Sequence, residues 1–205
     1  MPVKKHPIVY FVRHGRTDAN GMNVFRGTRD QLDDRGKQDA QDLVKWFDKK
    51  PISAVYSADT DRTKDTAEPL AMSKGLKVQP VGALAAIDVG YLAGEPKEEH
   101  EHVFDYFEKN LNERIPMGES FNQFRSRTQP PIKGILAQGA KSANPIVAVM
   151  HSSIIHELNH IITGDHDQVL VKPGGIVGVY HHPQQGLALK ALYRPETKET
   201  VAYHG

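Results

Sequence analysis

The segment Ile8-Val9-Tyr10-Phe11-Val12-Arg13-His14-Gly15-Arg16-Thr17 combines a short apolar run with an abrupt polar end. The run from Ile8 to Val12 is rich in residues that favour strands, and charge and glycine stop it, which is typical of a buried parallel strand. His14 then lies at the carboxyl end of that strand. Because ligands bind outside the carboxyl ends of strands in parallel sheets, His14 is a candidate site residue.

A second histidine follows a second buried strand. Residues 145–150 form the most apolar strand-like run of the chain, and His151 comes directly after it. Hydrophobic periodicity predicts helices at 36–48, 61–73, 102–111 and 153–163, and a helix from 120 to about 139 that Pro130-Pro131 must break or kink. Shorter strands are predicted at 54–56, 76–78, 175–180 and 187–192, the last two joined by a turn at 183–186. Strands alternating with helices predict an α/β sandwich with a mostly parallel sheet, in which His14 and His151 converge.

The composition indicates one ordinary domain acting on a small molecule. The 26 Lys and Arg residues nearly balance the 25 Asp and Glu residues, so no overall field favours nucleic acid or an anionic membrane. There is no cysteine, which excludes thiol nucleophiles and Cys-based zinc sites and is compatible with a cytoplasmic protein. We expect residues 1–205 to form a single domain, with 81–119 as a lid or insertion over the site, and no membrane span. Monomer and homodimer both stay open.

The residues around His14 suit phosphoryl transfer. Attack on a phosphoryl group requires a nucleophile, donors that hold the phosphoryl oxygens, and an acid for the leaving oxygen. His14 serves as the nucleophile if one ring nitrogen donates its proton to a backbone carbonyl. The adjacent Arg13 carries a guanidinium, which matches phosphate oxygens in a bidentate way.

Further residues follow in an order that extends this pattern over nearly the whole chain: Asn20, Gly27, Asp30, Leu32, Gly36 and Ala40, then Tyr56 to Arg62 with Thr66 and Ala67, then Gly118-Glu119-Ser120, and finally Val149-Met150-His151. With them, the sequence resembles the histidine phosphatase superfamily, which includes phosphoglycerate mutases and many small phosphatases. The resemblance implies a three-layer α/β/α sandwich, no cofactor and no metal. It also implies that His14 becomes a phosphohistidine while Arg13, Arg62 and His151 line the phosphate pocket. Asn20, Thr17, Glu119 and Ser152 are then expected to contact the substrate.

The general acid is the point at which the sequence departs from the family. Many members carry a glutamate shortly before a Gly-x-Leu-x-Gly stretch, and the position that matches this glutamate is Ala86, before the stretch at 90–94. Asp88 is our prediction for the acid, with Glu95 and Glu119 as alternatives. A turn residue is the competing interpretation of Asp88.

A zinc-protease pattern, His156-Glu157-Leu158-Asn159-His160, competes with this interpretation, and His166 stands where a third ligand falls in one branch. That branch requires a glycine where this chain has Thr163, and it requires a methionine after Met150, where none occurs. An amphipathic helix explains the same residues, with its polar side chains toward solvent or the rim of the site and an apolar side formed by Ile154, Ile155, Leu158, Ile161 and Ile162, so we disfavour zinc.

Three functions therefore stay open. The first is a phosphatase that hydrolyses a small phosphorylated molecule, and we expect this one. The second is a phosphoglycerate-mutase-type phosphotransferase, whose larger members carry insertions and a C-terminal tail. The third is a weakly catalytic phosphate-binding protein, favoured only by Ala86.

Overall fold

The computed structural model describes residues 6–25, 27, 30–164, 171–182 and 186–193. The predicted turn at 183–186 therefore lies largely outside the described residues. In chain order the strands and helices of the described ranges are β1 (Val9–Arg13), α1 (Asp18–Gly21), α2 (Asp34–Phe47), β2 (Ala54–Ala58), α3 (Asp61–Ser73), β3 (Val78–Val81), α4 (Lys97–Lys109), α5 (Phe121–Lys141), β4 (Ile146–Met150), α6 (Ser152–Thr163), β5 (Ile176–His182) and β6 (Gly186–Tyr193).

One sheet of order β3-β2-β4-β1-β5-β6 runs through the fold. The first four strands in that order are mutually parallel, and β5 and β6 extend the sheet antiparallel beyond β1. The predicted mostly parallel sheet is thus confirmed. Strands β1 and β4 are neighbours, with Arg13 opposite Met150, so the residues that follow them emerge side by side.

Alternate residues of the central strands supply two separate apolar layers. Phe11 packs in a cluster with apolar side chains of α5 and α6, whereas Val12 belongs to a cluster with side chains of α2 and α3. Because successive side chains of a strand point to opposite faces, this places helices on both faces of the sheet. The three-layer α/β/α sandwich is confirmed.

Helix α5 is not broken at Pro130-Pro131, so the first of the two predicted alternatives, a break, is wrong. It continues without a break through Pro130 and Pro131, although each proline removes a backbone hydrogen bond and costs about 3 kcal/mol in a helix interior. Buried residues stand on both sides of the pair, among them Thr128 and Ile132. Their packing against the core holds the two halves in one helix, a tertiary effect that local propensity does not reveal.

Other boundaries shift by a few residues. Helix α4 begins at Lys97, five residues before the predicted 102, and β3 begins at Val78. The N-cap of α3 is Thr60, in a capping box with Thr63. Ser120 and Gln123 form a capping box at the start of α5. None of the helices in the described ranges is long and apolar enough to cross a membrane.

Candidate active site

His14 directly follows β1, and its backbone N–H donates to the carbonyl oxygen of Met150, the last residue of β4. The side chain is fully buried. Its Nδ1 atom lies 2.7 Å from the carbonyl oxygen of Gly15, which accepts but cannot donate. The neutral ring is therefore protonated at Nδ1, and the lone pair is at Nε2, which is the tautomer a nucleophile requires.

Two glycines allow residues 14–17, the His14 loop, to lie closely against α2. A Cβ atom on Gly15 would lie 2.5 Å from the carbonyl oxygen of Gly36, and a Cβ on Gly36 would overlap the carbonyl oxygen of Arg16. The backbone N–H of Gly15 also donates to Thr66 Oγ1 at 3.0 Å. Any side chain larger than hydrogen at residue 15 or residue 36 would displace the loop that carries His14.

His151 is the N-cap of α6 and lies beside His14, with 5.3 Å between the ring centroids. The side chain is buried, and its Nε2 is 3.5 Å from Thr60 Oγ1. A helix N-terminus presents backbone N–H groups and a positive end of the helix dipole. The two strand ends therefore deliver two imidazoles and a helix N-terminus to one place, as the sequence predicts.

Arg62 belongs to the first turn of α3 and is 2% exposed. Its Nη1 donates to the Gly27 carbonyl oxygen at 3.2 Å, and its Nη2 lies 3.5 Å from His151 Nδ1. Burial lowers the pKa of Arg62, while the carboxylates of Asp30 and Asp61 act in the opposite direction. A bound anion would further compensate the cost of burying this charge.

A cavity of about 300 Å³ opens beside these groups. Arg13, Arg62 and His151 line it together, and Arg13 Nη1 donates to the Val171 carbonyl oxygen at 2.5 Å. His14 does not line the cavity itself, since its ring has no exposed surface. The volume suits a small ligand.

The remaining walls come largely from residues that sequence reasoning did not single out. One face of α4 contributes Lys97, Glu101, Phe104, Asp105 and Glu108. Phenylalanines add apolar surface: Phe25, Phe121 and Phe124. The spacing of the α4 residues is that of one helix face, a signal that was available in the sequence once the helix was started at Lys97.

Arg125 of α5 and Glu157 of α6 meet across another wall of the cavity. Arg125 Nε lies 3.3 Å from one oxygen of Glu157, and Gln129 Nε2 donates to the other at 2.7 Å. Glu157 is thus engaged with protein partners.

Among the described residues, no group of three or more His, Cys, Asp or Glu side chains has an arrangement that would hold a metal, and His166 lies outside these ranges.

The residues predicted to contact the substrate do not all lie at the cavity. Ser152 lines the cavity. Thr17 and Asn20 do not: the backbone N–H and the hydroxyl of Thr17 both donate to Asn20 Oδ1 at 3.1 Å, which closes the first turn of α1. Their proximity to the His14 loop supports a role in holding that loop.

The predicted carboxylates are not brought to the cavity. Asp88 is exposed, and its Oδ1 accepts the backbone N–H of Gly90 at 3.0 Å, as expected of a turn residue. Glu119 is bound by Arg127, and Glu95 is exposed. Ala86, the position matched to the family's glutamate, does line the cavity but carries no acid.

Comparisons with known proteins agree with this geometry. A probable phosphoglycerate mutase GpmB from Erwinia tasmaniensis is 28% identical over 162 residues, covering 76% of this chain and 74% of that protein. Another from Escherichia coli O1:K1 / APEC is 28% identical over 141 residues, covering 65% and 66%.

Solved structures share the fold. A mycobacterial glucosyl-3-phosphoglycerate phosphatase superposes with a TM-score of 0.72 at 19% identity, over 89% of this chain and 96% of that chain. A phosphoglycerate mutase from Bacillus anthracis superposes with a TM-score of 0.75 at 18% identity, over 89% and 91%. The model of the histidine phosphatase superfamily (branch 1) matches residues 9–172, from the start of β1 to beyond α6. This chain therefore belongs to the histidine phosphatase superfamily, branch 1.

Proposed function

We propose that this protein is a phosphomonoesterase that hydrolyses a small phosphorylated molecule through a phosphohistidine on His14. The observation that carries the proposal is the meeting of His14, His151 and Arg62 at the ends of β1 and β4 and the start of α3, beside a cavity that Arg13 also lines. In the first step His14 Nε2 attacks phosphorus, the ester P–O bond breaks, and the leaving oxygen takes a proton. Water then attacks the phosphohistidine, which releases phosphate and restores the ring.

Each neighbouring group has a physical task in this scheme. The guanidinium groups of Arg13 and Arg62 and the ring of His151 hold the phosphoryl oxygens as charge redistributes during transfer. The Gly15 carbonyl keeps the proton on Nδ1, so that Nε2 can attack. Since His14 is fully buried, the phosphoryl group reaches Nε2 only when a neighbouring side chain moves aside.

The general acid in this proposal comes from α4. Asp105 and Glu108 line the cavity, are half-buried, and make no ion pair within the described part of the chain. Glu157 is engaged by Arg125, and Asp88 by its own turn. A half-buried carboxyl group beside the leaving oxygen is suited to donate a proton.

Mutase-type phosphotransfer is the second candidate, because the curated relatives are named probable phosphoglycerate mutases and one similar structure is a phosphoglycerate mutase. A mutase must return the phosphoryl group to a bound product before water reaches the phosphohistidine. The two candidates therefore predict different products from the same intermediate.

Phosphate release from a panel of phosphorylated metabolites, followed over time with chelator present, tests the proposal. We expect free phosphate from at least one ester, inhibition by orthovanadate or tungstate, and no effect of EDTA. Interconversion of 2- and 3-phosphoglycerate without phosphate release would favour the mutase instead. Loss of activity on chelation, restored by zinc, would contradict both and favour the His156 motif.

A further inference from the structure

Arg127 of α5 donates hydrogen bonds both to a segment that is distant in sequence and to the nearby Glu119. Its Nη1 donates to the carbonyl oxygens of Ala83 and Ala85, both at 2.9 Å, and its Nη2 donates to that of Ala86 at 2.8 Å. Nε and Nη2 also donate to the two oxygens of Glu119, at 2.9 and 2.5 Å. The five N–H groups of one guanidinium are thereby all engaged.

Glu119 extends the same connection to Asp88. Its Oε1 accepts the backbone N–H of Asp88 at 2.9 Å, and its own backbone N–H donates to the Asp88 carbonyl oxygen at 3.1 Å. Glycines allow the two chain segments to touch, because a Cβ atom on Gly90 or on Gly118 would overlap the backbone of the other segment. Residues 83–90 are therefore hydrogen-bonded to α5 and to the segment before it, while their buried side chains Leu84, Ile87 and Val89 belong to the apolar cluster that packs on the sheet.

The attached segment forms part of the cavity. Ala86, Ile87 and Val89 line it, whereas Arg127 and Glu119 do not. The phosphate-binding groups come from other parts of the fold: Arg13 ends β1 and His14 follows it, Arg62 belongs to α3, and His151 lies between β4 and α6. The cavity thus has a phosphate side formed by residues at the strand ends and at the start of α3, and a second side whose backbone is hydrogen-bonded to Arg127.

We propose that Arg127 and Glu119 are positioning residues that hold residues 86–89 as the wall against which the leaving group of the phosphate ester binds. The proposal rests on the proposed phosphomonoesterase function. A wall built of Ala, Ile and Val side chains has no charge of its own, so its contribution to selectivity is shape, and shape depends on how firmly the backbone is held. Displacement of such a wall by about 1 Å can cost up to a hundredfold in rate.

Arg127→Lys and Glu119→Gln test this proposal. Lysine keeps the charge but offers three donors and no planar fork, so it cannot replace the guanidinium. We expect Arg127→Lys to raise the KM for p-nitrophenyl phosphate by about tenfold while the inhibition constant of orthovanadate stays within about twofold. Vanadate fills the phosphate side alone, whereas the nitrophenyl group must contact the wall. Glu119→Gln should act in the same direction and less strongly, and Glu68→Gln, an exposed carboxylate on α3, is the charge-matched control.

If Arg127→Lys changes the KM and the inhibition constant of orthovanadate by the same factor, the proposal is overturned. It is also overturned if neither constant changes. Amide hydrogen exchange supplies a readout that does not require turnover: Arg127→Lys should speed exchange of residues 83–90 while β4 stays protected. If the parent protein releases no phosphate and vanadate does not bind, the proposed function fails. In that case the exchange measurement still decides whether Arg127 holds the wall, and unchanged exchange would refute it.

Discussion

The ring of His14 is oriented by a backbone carbonyl and enclosed by the ends of two strands. We expect His14→Ala to lower phosphate release by about a thousandfold or more, because in the proposed mechanism this residue forms the covalent bond to phosphorus. Far-UV circular dichroism and thermal unfolding check that the fold is kept. His14→Asn is a second variant that keeps a polar group at this buried position. Activity within about tenfold of the parent protein would contradict the assignment.

The acid can be identified through its dependence on the leaving group. Asp105→Asn or Glu108→Gln should cost roughly a hundredfold with an alkyl phosphate and much less with p-nitrophenyl phosphate, whose phenolate departs without a proton. Asp88→Asn is the matched control, since its amide oxygen still accepts the Gly90 N–H. A large loss for Asp88→Asn confined to the alkyl phosphate would return the role of the acid to Asp88.

Single residues differ in how far sequence predicts them. The positions of His14 and His151 follow from local patterns, because each ends an apolar strand and parallel strands end at one edge. The distinction between Asp88 and Asp105 does not follow from local patterns. Both are carboxylates in the 81–119 region, and only the path of the backbone decides which of them faces the cavity.

At the scale of elements, the contact between the His14 loop and α2 is the most constrained. Gly36→Ala should lower the free energy of unfolding by about 1–3 kcal/mol, the usual cost of overpacking, and should reduce activity by moving the loop. Gly134→Ala in α5 is the control, because no atom lies within 4 Å of its added Cβ. We expect that change to stabilise the protein by about 0.5–1 kcal/mol in urea unfolding. Equal effects of the two substitutions would refute the close contact.

Elements themselves were predicted well where packing agrees with local propensity. Helices α2 and α3 show clear hydrophobic periodicity, and the strand before His151 is a continuous apolar run. The type and order of these elements therefore follow from the sequence. The continuity of α5 through Pro130 and Pro131 does not follow from local sequence, because buried side chains on both sides outweigh two absent hydrogen bonds. The early start of α4 was missed because polar residues dominate its first turn.

For the molecule as a whole, alkaline pH should reveal how Tyr10 is packed. Burial, with a smaller contribution from Tyr180, raises the pKa of Tyr10 from 10.0 to about 12. The unfolded chain therefore releases this proton first, so the stabilisation is complete below pH 10.0 and declines as pH rises toward about 12. Tyr10 packs edge-on against Trp46 and Phe47. We expect Tyr10→Phe to flatten the loss of stability in this window, measured by urea unfolding at several pH values; an unchanged slope would contradict the assignment.

The tight fit of Gly15 against Gly36 has a consequence for anyone who wishes to redirect the enzyme by directed evolution. Random libraries that vary these two positions will consist almost wholly of inactive clones, since every replacement adds an atom where backbone already lies. The cavity face of α4 is different: its side chains line the cavity from a helix that does not carry His14. Libraries restricted to Lys97, Glu101 and Phe104, which leave the proposed acids Asp105 and Glu108 unchanged, should therefore retain folded clones and yield changed substrate preferences at a much higher frequency.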